Sequence, residues 1–313
     1  MPYTTEVAPR ITTRLLVATD GSTDADGAVR VGRALAQRDG TVAELVSVVE
    51  PFPLPGGAEG VALPDPQALT ELMRESRASM LLEQRDRTHP GIHEWPFEID
   101  AGPRADMIVA NAERRGATLI LMGLGQHGVA ARLLVRETAL QVVRASSVPV
   151  LALPRHAWGV PHTALAAVDF TVSSERAAAA ALDLLGGEGI LYVAHVLPRT
   201  AIPHAEPIAW AEKTDAVLPR LEAMVRRLAP PPGVQIEYVL LHGEPAHELL
   251  AFASQSRIDL VAAGAHGRSA IERLLLGSVS TRLIRAAECW VLVAPADATA
   301  VPTTVDDVPN DWP

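Results

Sequence analysis

The chain has 313 residues, 48% apolar and only 4% aromatic, which is length for two ordinary domains with sizeable cores. Its 27 Lys and Arg against 37 Asp and Glu give a formal charge of -10 with no basic run, which argues against nucleic-acid binding. The single cysteine, Cys289, excludes an internal disulfide and a cysteine metal cage, and no run approaches the roughly 20 apolar residues of a membrane span.

In chain order, MPYTTEVAPR begins a tail over residues 1–12 that lacks an apolar signal core, so a cytoplasmic protein is expected. RLLVATDGSTDADGAVRVGRALA (14–36) is a strand followed by helical spacing, and TVAELVSVVEP (41–51) is a second strand. PFPLPGGAEGVALPDPQ, rich in proline and glycine, reads as a cover over the sheet edge or as an ordinary connection before the long helix ELMRESRASMLLEQ. FEIDAGPRADMIVANAERRGATLILMGLGQHG (97–128) supplies a strand, a helix and a further strand. RLLVRETALQVVRASSVPVLALP then closes the half with a helix and a last strand.

The pattern breaks at PRHAWGVPH (154–162) and starts again. TALAAVDFTVSSERAAAAALDLL (163–185) parallels the first segment, and GILYVAHVLPR (189–199) the second. PRTAIPHAEPIAW and the helix DAVLPRLEAMVRRL follow, then IEYVLLHGEPAHELLAFASQSRIDLVAAGAHG and RLLLGSVSTRLIRAAECWVLVAP. Four landmarks recur in the same order about 140 to 150 residues apart, so the chain is an internal duplication. Strands apolar on both faces, alternating with helices, indicate an α/β fold: two tandem open, mostly parallel sheets flanked by helices. The expected division is a tail (1–12), a first domain (13–154), a linker (155–161), a second domain (162–295) and an acidic tail (296–313). The last strands, PVLAL and WVLVA, are candidates to pair the two domains, or two chains, edge to edge.

The segment GAHGRSAIERLLLGSVST (264–281) carries the chemistry. Gly264 follows a strand, and the missing Cβ at Gly264 and Gly267 lets a ligand approach the main chain. Ser278 stands before a helical pattern as a favoured N-cap, and Gly277 leaves that helix end uncovered. Free N–H groups and a partial positive charge there make an anion site, with Arg268 near enough to add a cation. Without further information, the glycines could equally be turn residues and the serine a plain cap. Asp169 caps the turn after its strand or reaches a ligand, and His266 meets a phosphate or fills its loop. His195, on a buried strand, reads as a satisfied core histidine, and Cys289 as a buried, inert thiol.

The spacing G-x2-G-x9-G-S, followed by the strand WVLVAP, resembles the signature of the ATP-binding branch of the universal stress protein family, and the resemblance spans both halves. It implies five-stranded α/β sheets of the HUP type, either doubled in one chain or dimerised through the last strand. A homodimer and an unknown protein partner are therefore expected. Carried over by position, Gly264, Gly267, Gly277 and Ser278 would hold the phosphates of ATP (or of ADP or AMP, with Mg), and Val279 and Ser280 would extend that turn. Asp169, with Ala167 and Val168, would lie near the ribose and adenine, and Val196 against the adenine. Gly243 and Pro245 match the family's third-strand turn, while Trp290 departs from a common proline.

The first copy keeps Thr19-Asp20-Gly21-Ser22, Val48, Gly125 and Gly128 but lacks the Gly-Ser pair. One alignment puts Arg136-Glu137 there and shortens the loop by two residues; another puts Thr138-Ala139. A glutamate at a helix N-terminus would occupy the positive end and repel phosphate, so a weak or empty first site is expected. GLGQHG also fits G-x-G-x-x-G, but it follows a late strand, and Ala262 replaces its first glycine in the second copy, so NAD is not expected. The expected function is ATP-dependent regulation or protection in the stress response, with no catalytic residue evident. A nucleotide-free interaction module and a slow ATP-hydrolysing or adenylyl-transfer enzyme are the alternatives.

Overall fold

The computed structural model describes residues 11–51, 65–89, 95–125, 129–197, 207–265 and 276–295. The first half runs β1 (Arg14–Ala18), a 3-10 turn (Thr23–Ala25), α1 (Asp26–Ala36), β2 (Val42–Val49), α2 (Pro66–Thr88) and β3 (Phe97–Ala101). It ends with α3 (Arg104–Arg115), β4 (Leu119–Gly123), α4 (Val129–Ala145) and β5 (Val150–Leu153). The second half repeats the order with β6 (Thr163–Ala167), α5 (Val172–Leu185), β7 (Gly189–Leu197), α6 (Pro207–Leu228) and β8 (Val234–His242). It closes with α7 (Pro245–Gln255), β9 (Leu260–Gly264), α8 (Ser278–Ala286) and β10 (Trp290–Ala294).

All strand pairs within each half are parallel, so every connection must cross over through a helix. Strand order is β3-β2-β1-β4-β5 in one half and β10-β9-β6-β7-β8 in the other, joined into one ten-stranded sheet. The join is an antiparallel pair, β5 with β10, the single one among the described residues, in which Leu151 faces Leu292. The aligned sequences RLLVRETALQVVRASSVPVLALP and RLLLGSVSTRLIRAAECWVLVAP put these two leucines at the same position, so a local two-fold relates the halves here. The strand edge that could have paired two chains is used within one, and β3 and β8 are the outer strands.

Helices cover both faces. One core cluster joins residues of α1, α5 and α6 to one side of the sheet; the other joins α3, α4, α7 and α8 to the opposite side. Both clusters run through strands of the two halves, so the halves share their cores. Polar contacts reinforce the junction. Arg38, just after α1, donates to the carbonyls of Asp183 and Leu184 at 2.8 and 2.6 Å, satisfying the exposed acceptors at the end of α5. Among the described residues no helix is long and apolar enough to cross a membrane.

Candidate functional site

In an open parallel sheet, ligands settle at the carboxyl ends of the strands. In the second half these are the ends of β6, β7 and β9. Ala167 and Val196 pack, partly buried, against one core cluster, and Val279 of α8 joins them. These three predicted site residues thus pack toward the same face of the sheet. Val168 goes the other way: its side chain is buried in the opposite cluster, and only its main chain, bonded to Ala194 O at 2.8 Å, lies along the strand end.

Asp169 Oδ1 accepts from Thr171 N–H at 3.1 Å and from Thr171 Oγ1–H at 2.5 Å, while Thr171 caps α5 by accepting from Ser174 N–H. One carboxylate oxygen is therefore spent on the turn, as a reading of the residues alone allows. Phe170 sits in the left-handed region at φ 65° where the first half has Gly21 at φ 77°. Its ring is held 5.0 Å from the His195 ring, and the Arg220 guanidinium lies 4.0 Å from its centroid. His195 Nδ1 meets Val168 O at 2.7 Å, so this partly buried ring has a main-chain partner.

Gly264 ends β9 against the start of α5. A Cβ there would lie 2.4 Å from Ser173 Oγ and 2.8 Å from Ser174 N, so close packing alone demands glycine. The buried Ser280 hydroxyl donates to Gly264 O, and Gly277 N–H donates to Ala265 O at 2.7 Å. These two bonds fix the start of α8 against the end of β9. The N-cap is Gly277, one position before the Ser278 cap read from sequence, and Ser278 is the first helical residue. Among the described residues no side-chain cap bond closes the helix, and the hydroxyl of Ser280 is engaged inward. The first-turn N–H groups have no partner inside the helix. His266, Gly267 and Arg268 lie outside the described residues.

The first half differs at this point. Strand register pairs Leu15 with Leu119 and Ala164 with Leu260, which makes Gly123 the counterpart of Gly264. The pairing of Gly123 with Ala262 is thereby corrected. Gly277 lies thirteen residues after Gly264, and Arg136 thirteen after Gly123, so the loop is not shortened. Nor does Glu137 stand at a helix start. α4 begins at Val129 and runs unbroken through Arg136 and Glu137, where the second half has the mouth of α8. Glu137 instead pairs with Arg144 at 3.9 Å and with Arg285 of α8 at 3.5 Å.

A cleft does open in the first half, bounded by Ala18, Val46, Val48, Ile108 and Met122. Asp20, Asp24, Arg77, Arg104 and Thr138 contribute its polar part. Arg77 donates to Ser47 Oγ at 3.0 Å. Burial is the main cause that lowers its pKa from the usual guanidinium value; Asp20 opposes this and Arg104 adds to it. Sequence reasoning missed both arginines, because each sits within an ordinary helical pattern. Cys289 is partly buried, and desolvation pushes its thiol up to about 11. Among the described residues no group of three or more His, Cys, Asp or Glu side chains could hold a metal ion.

The model of the universal stress protein family matches residues 12–154 and again residues 162–295. The chain belongs to the universal stress protein family. A universal stress protein of Mycolicibacterium smegmatis is 27% identical over 301 residues, 89% of this chain and 96% of that one. One from Methanocaldococcus jannaschii is 44% identical over 69 residues, but the match spans only 22% of this chain and 41% of the relative. In fold, the chain is similar to the crystal structure of a universal stress protein from Archaeoglobus fulgidus. The TM-score is 0.64 at 19% identity, covering 91% of this chain and 99% of that one.

Proposed function

We propose that this universal stress protein is an adenine-nucleotide-dependent regulatory or protective protein of the stress response, with ATP held by its second half. One observation carries the reading. α8 starts just after Gly277, beside the end of β9, with no side-chain cap among the described residues, whereas α4 runs straight through the matching position. The N–H groups of Ser278, Val279 and Ser280 would donate to phosphate oxygens, and the partial positive charge of the helix end would favour the anion. Ala167, Val196 and Val279 would face the base, and Asp169 would keep its turn-capping oxygen while its carboxylate borders the sugar. His266, Gly267 and Arg268 would complete the phosphate loop, and Mg would arrive with the phosphates. ADP and AMP would use the same residues with fewer phosphate contacts. Because the β5–β10 edge is consumed within the chain, a homodimer would have to form through another surface.

Gly277→Glu tests the assignment. A carboxylate about 5 Å from a phosphate charge, at an effective dielectric near 20, opposes it by roughly 3 kcal/mol. ATP affinity measured by equilibrium dialysis should fall on the order of a hundredfold, with the unfolding transition unchanged. Unaltered affinity in a folded variant removes the phosphate site from α8.

A further inference from the structure

The first half has lost a helix mouth but has gained two guanidinium groups that the second half lacks. Arg87 pairs with Asp26, and Arg227 pairs with Glu175, which sets α2 and α6 in register. By that register the counterpart of Arg77 is Val217, and by the pairing of Val48 with Asp100 and Val196 with Leu241 the counterpart of Arg104 is Pro245. Both arginines line the first-half cleft.

The cleft's lining specifies a ligand. Val46, Val48, Ile108 and Met122 give it an apolar wall. Arg77 touches a neutral hydroxyl, Ser47 Oγ, and Arg104 has the exposed Glu50 carboxylate at 3.3 Å, a pairing of little strength in water. Asp20 attracts the Arg77 guanidinium more strongly than Arg104 repels it, and an anion between the two arginines would remove the repulsion that is left. Polyanions are disfavoured for two reasons. Asp24, which stands where the second half has Ser173, also lines the cleft, and its Oδ1 is buried with no hydrogen-bond partner among the described residues. Further, α4 offers no open N-terminus at this place.

We propose that this first-half cleft is a separate binding site for a small monoanion with an apolar body, of the aromatic or branched-chain carboxylate class, gripped by Arg77 and Arg104. The site stands independently of nucleotide binding in the second half. It is tested on the full chain carrying ¹³C-methyl label at Val, Ile and Met, titrated with benzoate and, in a separate arm, with ATP. Benzoate should shift the methyls of Val46, Val48, Ile108 and Met122 saturably. Arg77→Gln and Arg104→Gln should each raise its Kd by about fivefold or more, with the remaining spectrum unchanged. Arg77→Lys should fall between wild type and Arg77→Gln. The proposal is overturned if benzoate leaves those methyls unmoved, if both glutamine variants bind it as wild type does, or if ATP saturates the same methyls more tightly than benzoate.

Discussion

At Gly264 a single absent Cβ allows the end of β9 to lie against Ser173 and Ser174. Gly123 does the same in the first half, where a Cβ would come within 2.8 Å of Asp24 O. Gly264→Ala should therefore cost about 1–3 kcal/mol of stability, read as a lower midpoint in urea unfolding, because overpacking must shift backbone and not a flexible side chain. An unchanged midpoint would show that the contact yields freely. The glycine itself was legible in the sequence, but its packing role was not, since the partner that excludes a Cβ is about 90 residues away. Asp169 was legible in the opposite sense: its turn-capping bonds to Thr171 follow from local spacing alone. The side chain of Val168 turns to the face opposite Ala167, because strand alternation sends it there.

At the scale of elements, α4 and α8 occupy matching places and part company at their starts. The sequence showed that the Gly-Ser pair was missing but mis-set the loop by two residues. A slip of two preserves the in–out alternation of a strand, so burial pattern cannot detect it, and only strand register decides. The cleft arginines were not legible, because Arg77 and Arg104 meet only once α2 and α3 are placed beside β2. Arg38 makes a further prediction about how elements join. Its two bonds to carbonyls at the end of α5 tie the first half to the second. Arg38→Ala should lower stability by about 1–2 kcal/mol, measured by reversible chemical unfolding, since two charge-assisted bonds to carbonyls at the end of α5 are lost, with Asp183 O keeping its bond from Gly186 N–H. No loss would mean that solvent replaces both bonds without cost.

At the scale of the molecule, the duplication was fully legible, because each half writes the same apolar strands and helical stripes in the same order. Whether PVLAL and WVLVA would join halves or chains was not, since a strand sequence encodes an apolar edge but not its partner. Joining β5 to β10 fuses two five-stranded sheets into one and extends each core cluster across both halves. Upon this nearly symmetric frame the two sets of strand ends diverge: one faces the start of α8, the other an uninterrupted helix and a cleft with two arginines. Calorimetric titration of the full chain with ATP tests that asymmetry most directly. A stoichiometry of one tight site per chain is predicted, and two equal tight sites, or none, would contradict it.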